Sequence, residues 1–190
     1  MIKEKLVRYL EESQRSRDSI SELIPMIEEV AHVCVEKIKS GGRIYTFGNG
    51  GSACDSMHFV QELVARFDRD RAGIPAHHLL DGGTMTCWLN DISGETIFSR
   101  QVETLVTDKD IVFGFSTSGN SKNILRGLEK AKEKNATVVG MLGKNGGEAK
   151  NLVDFPLIVS GNKAHFIQEG HIVLVHIFCE LFETLLFNLE

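Results

Sequence analysis

Apolar residues recur at three- and four-residue steps through the first forty positions: Leu6, Leu10, Ile20, Leu23, Ile27, Val30, Ala31, Val35 and Ile38. That period predicts helix throughout residues 2–39. Asp18 or Ser19 offers a cap for a second helix within the stretch, and "SGG" at 40–42 stops it. Such a helical arm has more apolar face than one sheet requires, which predicts subunit contacts. Beyond the arm, "RIYTFG", "PAHHLL", "DIVFGFS", "TVVGMLG" and "FPLIVS" read as strands. Between and after them, "SACDSMHFVQELVARF", "TIFSRQVETLV", residues 120–134, "GEAKNLV" and "HFIQEGHIVLVHIFCELFETLLF" read as helices. Alternating strands and helices predict an α/β protein, a parallel sheet with helices on both faces. No linker, repeat or low-complexity tract interrupts the pattern, so residues 1–190 read as one domain, with 1–40 as the arm. The Gly- and Thr-rich stretch leading to "LND" at 89–91 takes no assignment.

Composition narrows the function. Of 190 residues, 42% are apolar and 25% charged, the balance of a globular protein with a full core. The net charge is −5 and no basic run occurs, which argues against nucleic acid as a partner. "RFDRDR" at 66–71 reads as a solvated helix end, from which one arginine could meet an anionic substrate. No apolar run is expected to reach the length of a membrane span, and the mixed-charge start lacks a signal peptide's apolar core. Cys34, Cys54, Cys87 and Cys179 are scattered and read as reduced thiols; Cys54, after a glycine turn, reads as a packed small residue before a reactive one. Together these predict a cytoplasmic protein with no membrane partner.

Two polar loops carry candidate chemistry. "GNGGS" at 48–52 follows the first strand and "STSGNS" at 116–121 follows the third. In a parallel sheet both emerge at the carboxyl edge, where such sheets bind ligands. Ser116, Thr117, Ser118 and Ser121 crowd hydroxyls at the start of a helix, where unpaired amides and the helix dipole favour an anion. A cap needs one hydroxyl. Four of them, with no Walker lysine, predict a cradle for a phosphomonoester. "GNGGS" is equally compatible with a tight turn and with binding. Asn90 and Asp91 suit sugar hydroxyls, or Asp91 a turn or cap.

His58 and Glu62 lie four apart on one predicted helix face, a spacing that suits a metal or an acid–base pair and equally a surface pair. The last helix adds Gln168, Glu169, His171 and His176, and His176 lies in an otherwise apolar stretch. His32, His77, His78, His165 and His171 read mainly as structural, and Trp88 as buried or pocket-lining.

"GNGGSACDSMHFVQEL", "FSRQVE", "STSGNS" and "IQEGHIVLVH", in that order, resemble the phosphoheptose isomerases of the sugar-isomerase (SIS) domain group. The likeness spans nearly the whole chain. It implies the three-layer SIS fold, a five-stranded parallel sheet flanked by helices. It implies a cytoplasmic homotetramer with zinc-dependent sites between subunits, converting sedoheptulose 7-phosphate to D-glycero-D-manno-heptose 7-phosphate for cell-surface glycans. On matching positions, His58, Glu62, Gln168 and His176 are the expected zinc ligands. Asn49, Gly50, Gly51, Ser52, Asn90, Asp91, Ser116, Thr117, Ser118, Ser121, Glu62 and Gln168 are the expected sugar-phosphate contacts. Glu62 and His176 are the expected acid–base pair. Arg66 matches an arginine the family keeps, whereas Phe166 stands where members carry arginine, which leaves the exact sugar open. A tetrameric scaffold of the replication-initiator-associating type, or a sugar-phosphate-sensing SIS module, would share the loops without needing the His–Glu–Gln set.

Gln168 and His176 are eight residues apart, about 12 Å of helix rise. They reach one ion poorly from a straight helix. Either Gln168 sits at a bent helix start, or the ligands come from two chains.

Overall fold

The computed structural model describes residues 1–188. The arm is two helices, α1 (Ile2–Asp18) and α2 (Ile24–Lys39), joined by a 3₁₀ turn at Ser19–Leu23. The second helix expected within the stretch is present, its start displaced to Ile24, where Pro25 in the first turn of α2 has no N–H to continue a ladder from α1. Neither expected cap forms. The Asp18 carboxylate accepts from Gln14 Nε2, and Ser19 Oγ donates to the Ser16 carbonyl while accepting from the Ser160 amide.

Then follow β1 (Ile44–Gly48), α3 (Gly51–Val64), β2 (Ala76–His78), α4 (Gly82–Asp91), α5 (Ile97–Leu105), β3 (Ile111–Ser116), α6 (Lys122–Glu133), β4 (Thr137–Gly143), β5 (Phe155–Val159) and α7 (Ala164–Phe187). The stretch without a predicted element is α4, capped by the Asp81 carboxylate accepting from the Thr84 amide. The expected helix at 147–153 is a short 3₁₀ turn at Ala149–Asn151, and β2 is shorter than "PAHHLL".

The sheet has five strands in the order β2-β1-β3-β4-β5, with every neighbouring pair parallel. Its central strands are buried on both faces, so alternate residues feed two cores. Ile111, Phe113 and Phe115 of β3 and Val139 and Met141 of β4 meet α2, α3 and α7 through Val30, Phe59, Leu174 and Phe178. Val112, Val138 and Leu142 on the opposite face meet α5 and α6 through Phe98, Val102 and Leu128.

By length and composition alone α7 could cross a membrane, contrary to the expectation from sequence. In this fold its buried residues, among them Leu174, Phe178 and Phe182, fill the first core. α1 lies across α7: Ser16 Oγ donates to the Phe166 carbonyl at 2.7 Å, and Tyr9 and Ser13 donate to the Glu169 carboxylate. Its stripe of Ile2, Leu6 and Leu10 faces outward, each more than 60% exposed.

Phe178 is wholly buried against Phe59, Phe113 and Phe182. Phe178→Ala is expected to lower stability by about 3–5 kcal/mol, with the urea midpoint reduced and the slope unchanged. A loss below about 1 kcal/mol would contradict this account of the core.

Candidate active site

Both polar loops emerge at the carboxyl edge, as predicted, and β1 pairs directly with β3 beneath them. They are locked together by a reciprocal amide pair: Asn49 Nδ2 to Asn123 Oδ1 at 2.8 Å, and Asn123 Nδ2 to Asn49 Oδ1 at 2.9 Å. Asn123 was not singled out from sequence, because one asparagine in a polar helix start carries no signal of a partner 74 positions away. Asn49 is thus engaged in holding the loops.

Within the third-strand loop, the buried Ser116 Oγ accepts from the Gly119 amide at 3.0 Å. Gly119 has φ +64°, and a Cβ there would sit 2.0 Å from the Gly146 carbonyl oxygen, so no other residue fits. Ser118 Oγ accepts from the Asn120 amide at 3.2 Å. Ser121 opens α6, and its hydroxyl makes no cap bond among the described residues. The loop is therefore a shaped turn with half-buried Thr117, Ser118 and Ser121 at its rim and the α6 amino terminus behind it.

α3 and α7 run side by side in the same direction. Gly51, at the start of α3, abuts Gln168, whose side-chain nitrogen would lie 2.5 Å from an added Cβ. A larger residue at 51 would displace the Gln168 carboxamide, so the glycine leaves room for Gln168 beside the loops. Two turns further on, His58 Nε2 is 2.9 Å from Glu62 Oε1, and the His58 and His176 rings meet edge-on with centroids 5.3 Å apart. Phe67 stacks on His176 with centroids 5.7 Å apart. Burial holds the His176 imidazole below the usual histidine range; a neighbouring His58 charge reinforces this and the Glu62 carboxylate opposes it.

Of the expected site residues, His58, Glu62 and His176 come together. Gln168 does not join them within one chain. α7 is one continuous helix from Ala164, and Gln168 lies in its first turns, beside Gly51 and not beside His58. Gly50 and Ser52 flank Gly51 at the loop, Ser52 being buried. Asn90 and Asp91 end α4, exposed and bonded to each other at 2.7 Å. Arg66 is exposed just beyond α3. Phe166 is buried against Tyr9, so it anchors α1 instead of facing the loops.

One other expectation changes. Cys54 is exposed, not packed. Trp88 is half-buried, donating from Nε1 to Thr96 Oγ1 at 2.9 Å with Arg100 over its ring. Asp55 was missed. It lies four residues after Gly51 and three before His58 on the same α3 stripe, a pattern that sequence spacing could have shown. Its Oδ2 is occluded without a hydrogen-bond partner among the described residues, and burial pushes its carboxyl up to about 6.

The donor set bears on metal binding. Two imidazoles and a carboxylate are zinc-type ligands. They stand beside one another here, though among the described residues no three His, Cys, Asp or Glu side chains are already gathered round one point, so holding an ion requires His58 to release Glu62.

Paired glycine and hydroxyl loops over a five-stranded parallel sheet define an SIS-type sugar-phosphate protein, and the SIS domain profile matches residues 8–143. The chain is 45% identical to the phosphoheptose isomerase of Trichlorobacter lovleyi over 170 residues, 89% of this chain and 87% of that one. It is 46% identical to that of Citrifermentans bemidjiense over 167 residues, 87% of each. The solved phosphoheptose isomerase of Francisella tularensis superposes with a TM-score of 0.90 at 31% identity, covering 95% of this chain and 97% of that one. The chain belongs to the phosphoheptose isomerase family.

His171 supplies a pH prediction. It is wholly buried, its Nε2–H donates to the Leu142 carbonyl at 2.9 Å, and burial lowers it to about 4. The unfolded chain, at about 6.5, binds the proton first, so stability falls as pH drops from about 7 to about 4 and is flat below. In urea titrations the stability advantage of wild type over His171→Gln is expected to shrink by up to about 3 kcal/mol across that window. A constant difference would refute a neutral buried His171.

Proposed function

We propose that this chain isomerises sedoheptulose 7-phosphate to the corresponding aldose phosphate, D-glycero-D-manno-heptose 7-phosphate, through an enediol. The observation that carries the reading is the Glu62 carboxylate, 84% buried beside His58 and His176 on the same helix stripe that starts at the loops. A scaffold or a sensor has no need of such a cluster.

The chemistry follows from the side chains. The phosphate sits in the loop of Ser116, Thr117, Ser118 and Ser121, where hydroxyls and α6 amides supply donors. Asn49, Gly50, Gly51, Ser52 and Gln168 line the adjoining edge, and Asn90, Asp91 and Arg66 are the candidate contacts from outside it. Glu62 moves the proton between C1 and C2. His176 is the candidate partner for the proton between the two oxygens only while its ring carries no metal; with zinc bound, that role passes to the ion and Glu62 keeps the carbon-bound proton. His58, Glu62 and His176, with Gln168 from a neighbouring copy, are the side chains that would hold zinc. When bound, the ion would polarise the substrate oxygens as a Lewis acid.

Assembly is part of the same proposal. Gly51 and Glu62 are separated by about 16 Å of helix rise, too far for one seven-carbon phosphate to bridge along α3. A homotetramer, in which the loops of one copy face the carboxylate of another, closes that gap. Supporting it, an apolar groove of about 850 Å³ between α2 and α7 is lined by Ile20, Ile24, Ile27, Val173, Ile177 and Leu181. α4 has no buried residue and leaves Leu89 exposed. Residues 1–190 would act as one SIS unit, with 1–40 as the assembly arm. Four free cysteines, two of them exposed, accord with a cytoplasmic location.

Glu62→Gln is expected to lower turnover of sedoheptulose 7-phosphate at least 100-fold and to abolish deuterium uptake from heavy water at the carbon next to the aldehyde. Turnover within threefold of wild type would overturn the assignment. Sedimentation is expected to show a tetramer whose dilution to monomer abolishes activity and releases about one zinc per chain. A fully active, metal-free monomer would overturn both parts.

A further inference from the structure

The segment after α3, expected to be a solvated helix end, holds a buried ion pair. Arg71 and Glu183 side chains are 1% and 3% exposed, with Arg71 Nε donating to Glu183 Oε1 at 2.8 Å. The guanidinium spends its other nitrogens on the end of α3 and on the loop that follows it. One donates to the Glu62 carbonyl at 2.8 Å, the other to the carbonyls of Leu63 at 2.9 Å and Ala72 at 3.1 Å. Helix termini leave such carbonyls unpaired, and a cation there also meets the negative end of the helix dipole. Glu183, in turn, accepts from the backbone amides of Phe67 at 3.4 Å and Arg69 at 3.1 Å. Phe187 covers the guanidinium at 5.7 Å.

These bonds join three pieces of the candidate site. Glu62 is fixed through its own carbonyl. Phe67, whose ring stacks on His176, is fixed through its amide. His176 and Glu183 are seven residues apart on α7, two turns along one face. We infer that the Arg71–Glu183 pair is a positioning device for the isomerisation, setting the end of α3 and the Phe67 wedge against α7 so that the Glu62 carboxylate and the His176 ring hold their mutual geometry. The inference rests on the reading of Glu62 and His176 as the reacting pair. Neither Arg71 nor Glu183 touches substrate in this scheme.

Arginine is required by shape as well as charge. Its planar fork serves one carboxylate and three carbonyls at once, which a lysine ammonium cannot. An uncharged, well-packed replacement of both partners is often tolerated by a fold, whereas removing one partner strands a buried charge.

The test uses the full-length assembly with Arg71→Met/Glu183→Leu, and Arg71→Lys as a second variant. Two readouts are taken well below the melting temperature: ring resonances of carbon-labelled histidines, and kcat and KM for sedoheptulose 7-phosphate. The expected result is displaced His58 and His176 resonances with unmoved His77 and His165, and kcat down about 10- to 100-fold with KM within threefold. Arg71→Lys, if it folds when the double variant does not, is expected to show the same pattern more weakly. Unmoved His58 and His176 resonances in either folded variant would overturn the inference, and so would displaced resonances with unchanged kcat. Displaced resonances in a protein whose wild type does not turn over the sugar would sink the proposed reaction and leave the geometric coupling established.

Discussion

The site depends on the parallel alignment of α3 with α7. At one end the helices touch through Gly51 and Gln168, where an added methyl group would displace the Gln168 carboxamide. At the other they are joined by an arginine and a glutamate withdrawn from water. Between these ends, Phe59 packs on Phe178 and Phe182 below, and His58 and Glu62 meet His176 above. One helix pair therefore faces the core with its aromatic residues and the candidate chemistry with its polar ones. Because the core is densely packed, a shift of either helix would be felt in both layers.

The polar groups held between these layers are chosen by what burial does to charge. His171 stays neutral there, its Nε2–H donating to the Leu142 carbonyl while its Nδ1 is buried with no partner among the described residues. Asp55 is more exposed and keeps an occluded oxygen with no partner among the described residues, which pushes its carboxyl toward the protonated form. The pair at Arg71 and Glu183 remains compatible with burial because nearly every donor and acceptor is used.

The outside of the molecule is less complete than the inside. The arm, the groove beside α7 and the whole of α4 leave apolar side chains at the surface. Scattered exposed apolar residues need no explanation, but contiguous grooves of this size do. The groove borders Ile177, next to His176, so whatever covers it reaches the flank of the candidate site.

Residue pattern alone settled the alternation of strands and helices, the parallel sheet, both loops at the carboxyl edge, and the shared face of His58 and Glu62. Those features are local or periodic: hydrophobic repeat, turn chemistry and helical spacing are written in neighbouring residues. It misjudged or missed the start of α2 at Ile24, helix α4, the exposure of Cys54, the Asn49–Asn123 lock and the burial of Arg71. Each depends on a partner distant in the chain or on one short stretch that carries no period. That Gln168 lies beside Gly51 and away from His58 was decided only by how α7 packs against α3. Which groups meet is set by the three-dimensional fit of whole helices, and that fit follows from side-chain volumes summed across the core, which no short stretch of sequence contains.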